Sequence, residues 1–144
     1  MIVLAPHHLA AIAEAAEAAF PAEGCGLLIG GGRRIIRVSR VVPAANLCRD
    51  QRPDRFELDP AIRIALERQV RGTDQRVVGH WHSHPDGSAT PSATDIDHAW
   101  EPDLIWLIAG TTAGVGGRGQ MVQLRAHRLD RTTGRSRPVA LKVG

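Results

Sequence analysis

The run from Gly79 to Asp95, Gly79-His80-Trp81-His82-Ser83-His84-Pro85 and onward to Ser92-Ala93-Thr94-Asp95, holds the residue types of a hydrolytic zinc site. Zinc accepts imidazole nitrogen and carboxylate oxygen, and a catalytic site uses three protein ligands with the fourth position left for water. His82, His84 and Asp95 make that count. Alternate side chains of a strand share a face, so His82 and His84 project together, about 7 Å apart along the backbone, and two imidazoles can converge on one ion. His80 has the same parity. Three residues spanning about 13 Å of extended chain cannot all reach one tetrahedral centre, so His80 is expected outside the ligand set.

Ser92-x-x-Asp95 taken alone is a capping box at a helix start. Beside the histidines it reads differently: Asp95 sits on the first turn as an anionic ligand, and Ser92 faces the same ion with a hydroxyl that can donate to a developing oxyanion. Pro85-Asp86-Gly87 is suited to turn the chain back between the two halves, because proline fixes one dihedral and glycine permits a positive one. Hydrolysis also needs a carboxylate near the metal but not bound to it, to take a proton from water and return it to the leaving amine. Glu14, Glu17, Glu23, Glu57, Glu67 and Glu101 are available, and spacing alone does not choose. Glu23 is the most suggestive, since it follows the first helix and precedes Gly24-Cys25-Gly26, where small residues allow close backbone approach.

The elements that must position these residues follow from periodicity. A helix is expected from about His7 to Ala19, with Pro21 marking its end. Cys25–Ile29 and Ile35–Val42 read as a hairpin around Gly30-Gly31-Gly32, and Pro43–Asp54 as a loop. Asp59-Pro60 starts a helix running to about Arg71, with an aspartate cap and a proline where no N–H is needed. Gln75–Trp81 is a buried strand feeding the histidines, a short helix starts near Pro91 and runs to about Trp100, and Leu104–Ala109 is another strand. Gly110–Gly119 reads as a glycine-rich turn, Met121–Leu129 as a strand and Pro138–Val143 as an edge strand. Strands interleaved with two or three helices, without internal repeat, give an α/β or α+β domain with one central sheet.

The chain has 144 residues, 43% hydrophobic and 23% charged, the size and composition of one globular domain over residues 1–144. No apolar run reaches the length of a bilayer span. The Ala-rich N-terminus has no basic leader and carries Glu14 and Glu17, so a cytoplasmic protein is expected. Cys25 and Cys48 are expected as free thiols in a reducing compartment. The net charge of +3 rests on arginine, with Lys142 the one lysine, and aromatics are 3% of the chain. Without interleaved aromatic and basic residues, nucleic-acid binding finds no support. Gly114-Val115-Gly116-Gly117 lacks the Lys-Ser/Thr of a phosphate loop.

Glu23, then His82-Ser83-His84, seven intervening residues, Ser92, two more and Asp95, together resemble the signature of the JAMM (MPN-type) zinc metalloproteases. The likeness covers roughly Leu4 to Leu129 and points to the compact prokaryotic branch, with Pro21–Gly30, Asn46, Phe56, Asp59 and Pro60 matching further positions. It implies a single domain with a central curved mixed β-sheet flanked by helices, similar to cytidine deaminases. It also implies one zinc per chain on His82, His84 and Asp95, with Glu23 as general base and acid, and Ser92 stabilising the tetrahedral intermediate. The implied reaction is hydrolysis of a peptide or isopeptide bond after the C-terminal Gly-Gly of a ubiquitin-like or sulfur-carrier protein, including carrier-cysteine adducts. One edge of the strand leading into His82 is expected to pair with that tail, since strand addition holds a peptide through its backbone. The rival readings are a non-catalytic scaffold of the same fold and a zinc deaminase. The deaminase would use His-x-Glu and Pro-Cys-x-x-Cys, which are absent.

Overall fold

A computed structural model describes residues 1–48 and 56–144. In chain order the elements are β1 (Ile2–Leu4), α1 (Pro6–Ala19), β2 (Cys25–Gly31), β3 (Ile36–Ala44), α2 (Pro60–Val70), β4 (Arg76–His84), α3 (Ala93–Asp97), β5 (Ile105–Ala113), β6 (Gly119–Asp130), β7 (Arg135–Val139) and β8 (Leu141–Val143). Among the described residues eight strands form one sheet in the order β7-β6-β5-β4-β2-β3-β1-β8. It is mixed: β1 runs parallel to β3 and β8, β4 runs parallel to β5, and the other pairs are antiparallel. The outermost strands β7 and β8 are separated in sequence by Ala140 alone, so the sheet curls until its two edges nearly meet.

Helix α1 covers one face. Its Ile12 and Ala16 pack with Ile2, Leu4, Leu28, Val78, Trp81, Ile105 and Leu107. Helix α2 covers part of the other, where Leu66 meets Leu27, Ile29 and Val77. Asp59 caps α2 by accepting from Ala61 N at 2.9 Å, with Pro60 at its first position, as the Asp-Pro pair predicts. Neighbouring residues of β2 thus serve opposite faces, as a pleated strand requires.

Strand β4 departs from that alternation at one point. Leu28 lies opposite Gly79 while the next residue, Ile29, lies opposite Val77, so β4 carries one extra residue and bulges. Without it, His80, His82 and His84 would share the face of Val78, under α1. With it they face the other way, toward Phe56 and Trp106, and Trp81 takes the place in the core below α1.

Several expectations change. β1 is a strand that the sequence pattern did not indicate. Pro138–Val143 is divided between two strands on opposite edges. Pro43 and Ala44 extend β3, while residues 49–54 of the expected loop lie outside the described residues. The expected turn at Gly110–Gly119 is shorter, because β5 continues to Ala113 and the tip is a single 3₁₀ turn, Val115–Gly117. Gly110 belongs in β5 for a packing reason: a Cβ there would stand 2.1 Å from Gly87 O. The turn after His84 presses directly on β5 at that point. Gly87 itself has φ +84°, a conformation that suits glycine.

Candidate metal centre

His82 and His84 end β4, and Asp95 lies on the first turn of α3. Their donor atoms converge. His82 Nε2 and His84 Nε2 are 3.0 Å apart, Asp95 Oδ1 is 3.1 Å from His82 Nε2, and Asp95 Oδ2 is 3.0 Å from His84 Nε2. All three side chains are buried. Ligands of a tetrahedral zinc with bonds of about 2.0–2.1 Å stand roughly 3.3 Å from one another, so this triangle fits the ion to within a few tenths of an ångström. The donor chemistry fits as well. Burial holds His82 below the usual imidazole range, leaving a neutral ring with a lone pair. At Asp95 burial works against ionisation, but hydrogen bonding to His82 and His84 outweighs it and holds the carboxyl well below the usual range.

Ser92 and Asp95 also form the capping box. Asp95 N donates to Ser92 Oγ at 3.0 Å, and Ser92 N donates to Asp95 Oδ2 at 2.9 Å. The capping box is thus formed, and the same geometry is compatible with the functional reading of the motif. The cap fixes the Asp95 carboxylate against both imidazoles, and it uses the serine oxygen as acceptor, which leaves the hydroxyl proton to be donated elsewhere.

Glu23 lies between α1 and β2 and is buried. A carboxylate oxygen of Glu23 lies within 4.8 Å of a ring nitrogen of both His82 and His84. Cys25 stands opposite His82 in the β2–β4 ladder, which brings Glu23 alongside the end of β4. Of the other glutamates, Glu17 accepts from Met121 N, and Glu67 and Glu101 pair with Arg63. Glu57 lines the same cavity as Glu23 and accepts from Cys48 Sγ at 3.4 Å. That cavity, about 600 Å³, is walled by Glu23, Ser92, Asp95, Phe56, His98 and Trp106 among others.

Four positioning contacts are not visible from sequence spacing. Ser83, fully buried between the two histidines, accepts from Gly24 N at 2.8 Å through Oγ, and its own N donates to Gly24 O at 3.0 Å. Asn46 Nδ2 donates to Glu23 O at 2.9 Å, while its Oδ1 accepts from Cys48 N and Glu57 N. Phe56 stacks on His82, centroids 4.4 Å apart at 21°. Trp106 meets His80 edge-on at 4.1 Å. His80 lies to the side, its ring centroid 6.4 Å from that of His82, and burial lowers its pKa to about 3. Asn46 and Phe56 belong to the family resemblance, but only tertiary pairing reveals what they touch. The edge expected to receive a substrate tail is taken up where the strand enters His82, because from Gly79 to His82 β4 is paired with β2 on one side and β5 on the other.

A curved mixed sheet carrying His-x-His on a central strand, answered by a capping aspartate and a buried glutamate, defines a compact JAMM/MPN-type domain. Residues 5–127 match the model of the prokaryotic homologs of the JAB domain, and the chain belongs to that family. A desampylase of Haloferax volcanii is 34% identical over 88 residues, 61% of this chain and 62% of the relative. A CysO-cysteine peptidase of Mycobacterium tuberculosis is 32% identical over 91 residues, 63% of this chain and 60% of the relative. The chain thus spans about three fifths of the length of these curated relatives. A solution structure of a protein from Desulfitobacterium hafniense superposes with a TM-score of 0.80 at 28% identity, covering 100% of this chain and 93% of the other.

Proposed function

We propose that residues 1–144 form one zinc-dependent hydrolase domain, active in the cytoplasm. Its substrate is the peptide or isopeptide bond after the C-terminal Gly-Gly of a ubiquitin-like or sulfur-carrier protein, carrier-cysteine adducts included. The observation that carries this reading is the triangle of His82, His84 and Asp95 donors at 3.0–3.1 Å, with Glu23 and Ser92 bordering the same cavity. The names of the relatives, a desampylase and a CysO-cysteine peptidase, support the substrate class. Among the described residues no helix is long and apolar enough to cross a membrane.

His82, His84 and Asp95 would hold the ion. When bound, zinc polarises the scissile carbonyl and makes water a competent nucleophile near neutral pH. Glu23 takes the proton of the attacking water at its carboxylate and delivers it to the leaving nitrogen. Ser92 Oγ, already accepting from Asp95 N, keeps its proton and donates a hydrogen bond to the oxygen on which negative charge develops. Because β4 is paired on both sides from Gly79 to His82, the tail lies across the cavity walled by Phe56, His98 and Trp106, where glycines pass without clashing.

Metal content and cleavage of carrier-Gly-Gly adducts, measured for the native chain, Glu23→Gln and Asp95→Ala, test this. Glu23→Gln is expected to keep zinc and lose at least about a hundredfold in kcat, the scale of a general base. Asp95→Ala is expected to lose both metal and activity. If the native chain binds no zinc and chelators change nothing, the scaffold reading replaces the enzyme.

A further inference from the structure

Trp100 is 68% exposed, yet it is not loose. The Arg131 guanidinium carbon lies 3.8 Å from the ring centroid, Arg131 Nε donates to Asp97 O at 2.9 Å, and Trp100 N donates to His98 O at 3.0 Å. The preceding Ala99 is buried against Trp106 and Leu129. A large ring fixed before anything binds loses little freedom on association. Tryptophan and arginine are also the side chains that most often dominate protein interfaces.

Position gives this pair its meaning. Trp100 follows α3, the helix that carries Asp95, and borders a cavity of about 270 Å³ with Leu58, Ala99 and Leu104. His98 and Trp106 wall both this cavity and the catalytic one, whereas Trp100 is not a wall of the catalytic one. The indole stands outside the cavity that Glu23 and Ser92 border, so a contact there falls to the body of an attached protein rather than to the tail within that cavity. Arg131 is exposed and has no ion pair among the described residues. Its terminal N–H groups therefore remain for a carboxylate supplied from outside.

We propose that Trp100 and Arg131 dock the folded body of the ubiquitin-like carrier, which presents an apolar side chain to the indole and an adjacent carboxylate to the guanidinium. The proposal rests on the substrate reading above and goes beyond it by placing recognition outside the reaction cavity. Charge complementarity with the Arg131 guanidinium, held beside the indole, favours a single carboxylate on the carrier at that point.

The test measures two quantities on native protein, Trp100→Ser and Arg131→Glu. The first is binding of a panel of small ubiquitin-like carriers ending in Gly-Gly, with Glu23→Gln as background so that nothing is cleaved. The second is turnover, by the cleavage-competent proteins, of carrier adducts and of a fluorogenic peptide ending in Gly-Gly. Docking predicts that each substitution weakens carrier binding at least about tenfold, the loss that marks an interfacial anchor, and raises KM for adducts. Peptide turnover stays unchanged. Unaltered carrier binding in Trp100→Ser overturns the proposal. So does a native dimer by light scattering that Trp100→Ser dissociates, since the ring would then cover a second copy. If no native turnover occurs but a carrier binds through Trp100, docking stands and the hydrolase reading fails.

Discussion

Ser83 and the two histidines that flank it stand on one strand and satisfy their polar atoms in opposite ways. Ser83 and Gly24 exchange two buried hydrogen bonds, Oγ accepting from one N–H and Ser83 N serving one carbonyl. Its neighbours point to the other face. There the Nε2 atoms of His82 and His84 are aimed at each other and at one carboxylate, and His82 Nδ1 has no hydrogen-bond partner among the described residues. Buried polar groups are ordinarily paired, and the exceptions in a native protein concentrate where it acts. Trp81 Nε1, on the Ser83 face, also lacks a partner among the described residues, so the contrast lies in the exchange with Gly24: at Ser83 β4 completes the fold, while at His82 and His84 it gathers donors that could hold an ion.

Breaking the completed side has the largest effect. Ser83→Ala leaves Gly24 N–H buried without its acceptor, a cost of about 1–3 kcal/mol. Thermal unfolding of the metal-free protein is expected to fall by several degrees. Gly24 also adjoins Glu23, so the same change loosens the proposed base. Zinc affinity, measured by competition with a chromogenic chelator, is expected to hold while kcat drops; a variant that loses zinc but keeps its thermal midpoint would refute this division of labour.

How much of this was legible beforehand follows the range of the interactions. His82, His84, Ser92 and Asp95 lie within one short stretch, where strand parity and the capping offset are local rules, so their convergence could be read from spacing. The α2 cap and the hairpin of β2 and β3 were local too. Glu23 could be ranked but not chosen, because what brings it to the histidines is the Cys25–His82 register, set across the sheet. The bulge in β4 was invisible for the same reason: a run such as Val77-Val78-Gly79 carries no mark of which residue is unpaired. β1 is a three-residue strand that exists only by pairing with β3 and β8, leaving no periodicity to detect, whereas β8 lies inside the expected edge strand Pro138–Val143 and only the division of that segment between two edges was hidden.

The ion-assembling side is expected to break more gently at its support than at its ligands. His82 has an aromatic wall where metal-bound histidines usually have a hydrogen bond from the second nitrogen. Phe56, stacked at 4.4 Å, supplies that orientation. Phe56→Leu keeps most of the apolar volume and removes the flat surface, so zinc affinity is expected to weaken about tenfold, the low end for loss of a supporting contact. Circular dichroism and the metal-free thermal midpoint should change little. Unaltered affinity would assign the orientation of His82 to the Trp106 edge, 5.7 Å away between centroids.

His80 sharpens the contrast with the smallest effect, because it shares the histidine face without belonging to the triangle. Its Nδ1 is buried and has no hydrogen-bond partner among the described residues, and burial lowers its pKa from 6.5 to about 3. Between those values the unfolded chain binds a proton at this residue and the folded chain does not. Stability from His80 is therefore complete above about pH 6.5 and is lost as pH falls toward 3. From pH 7 to 5.5 the loss amounts to about 1 kcal/mol. His80→Leu removes the titrating group and keeps an apolar contact for Trp106, so the metal-free variant is expected to lose less stability than the native chain over that interval. Denaturant unfolding at the two pH values measures the difference directly. Zinc affinity at pH 7 should be the same in both proteins. A tenfold loss would mean that His80 supports the ligands and that the functional part of the face extends one residue pair further down β4.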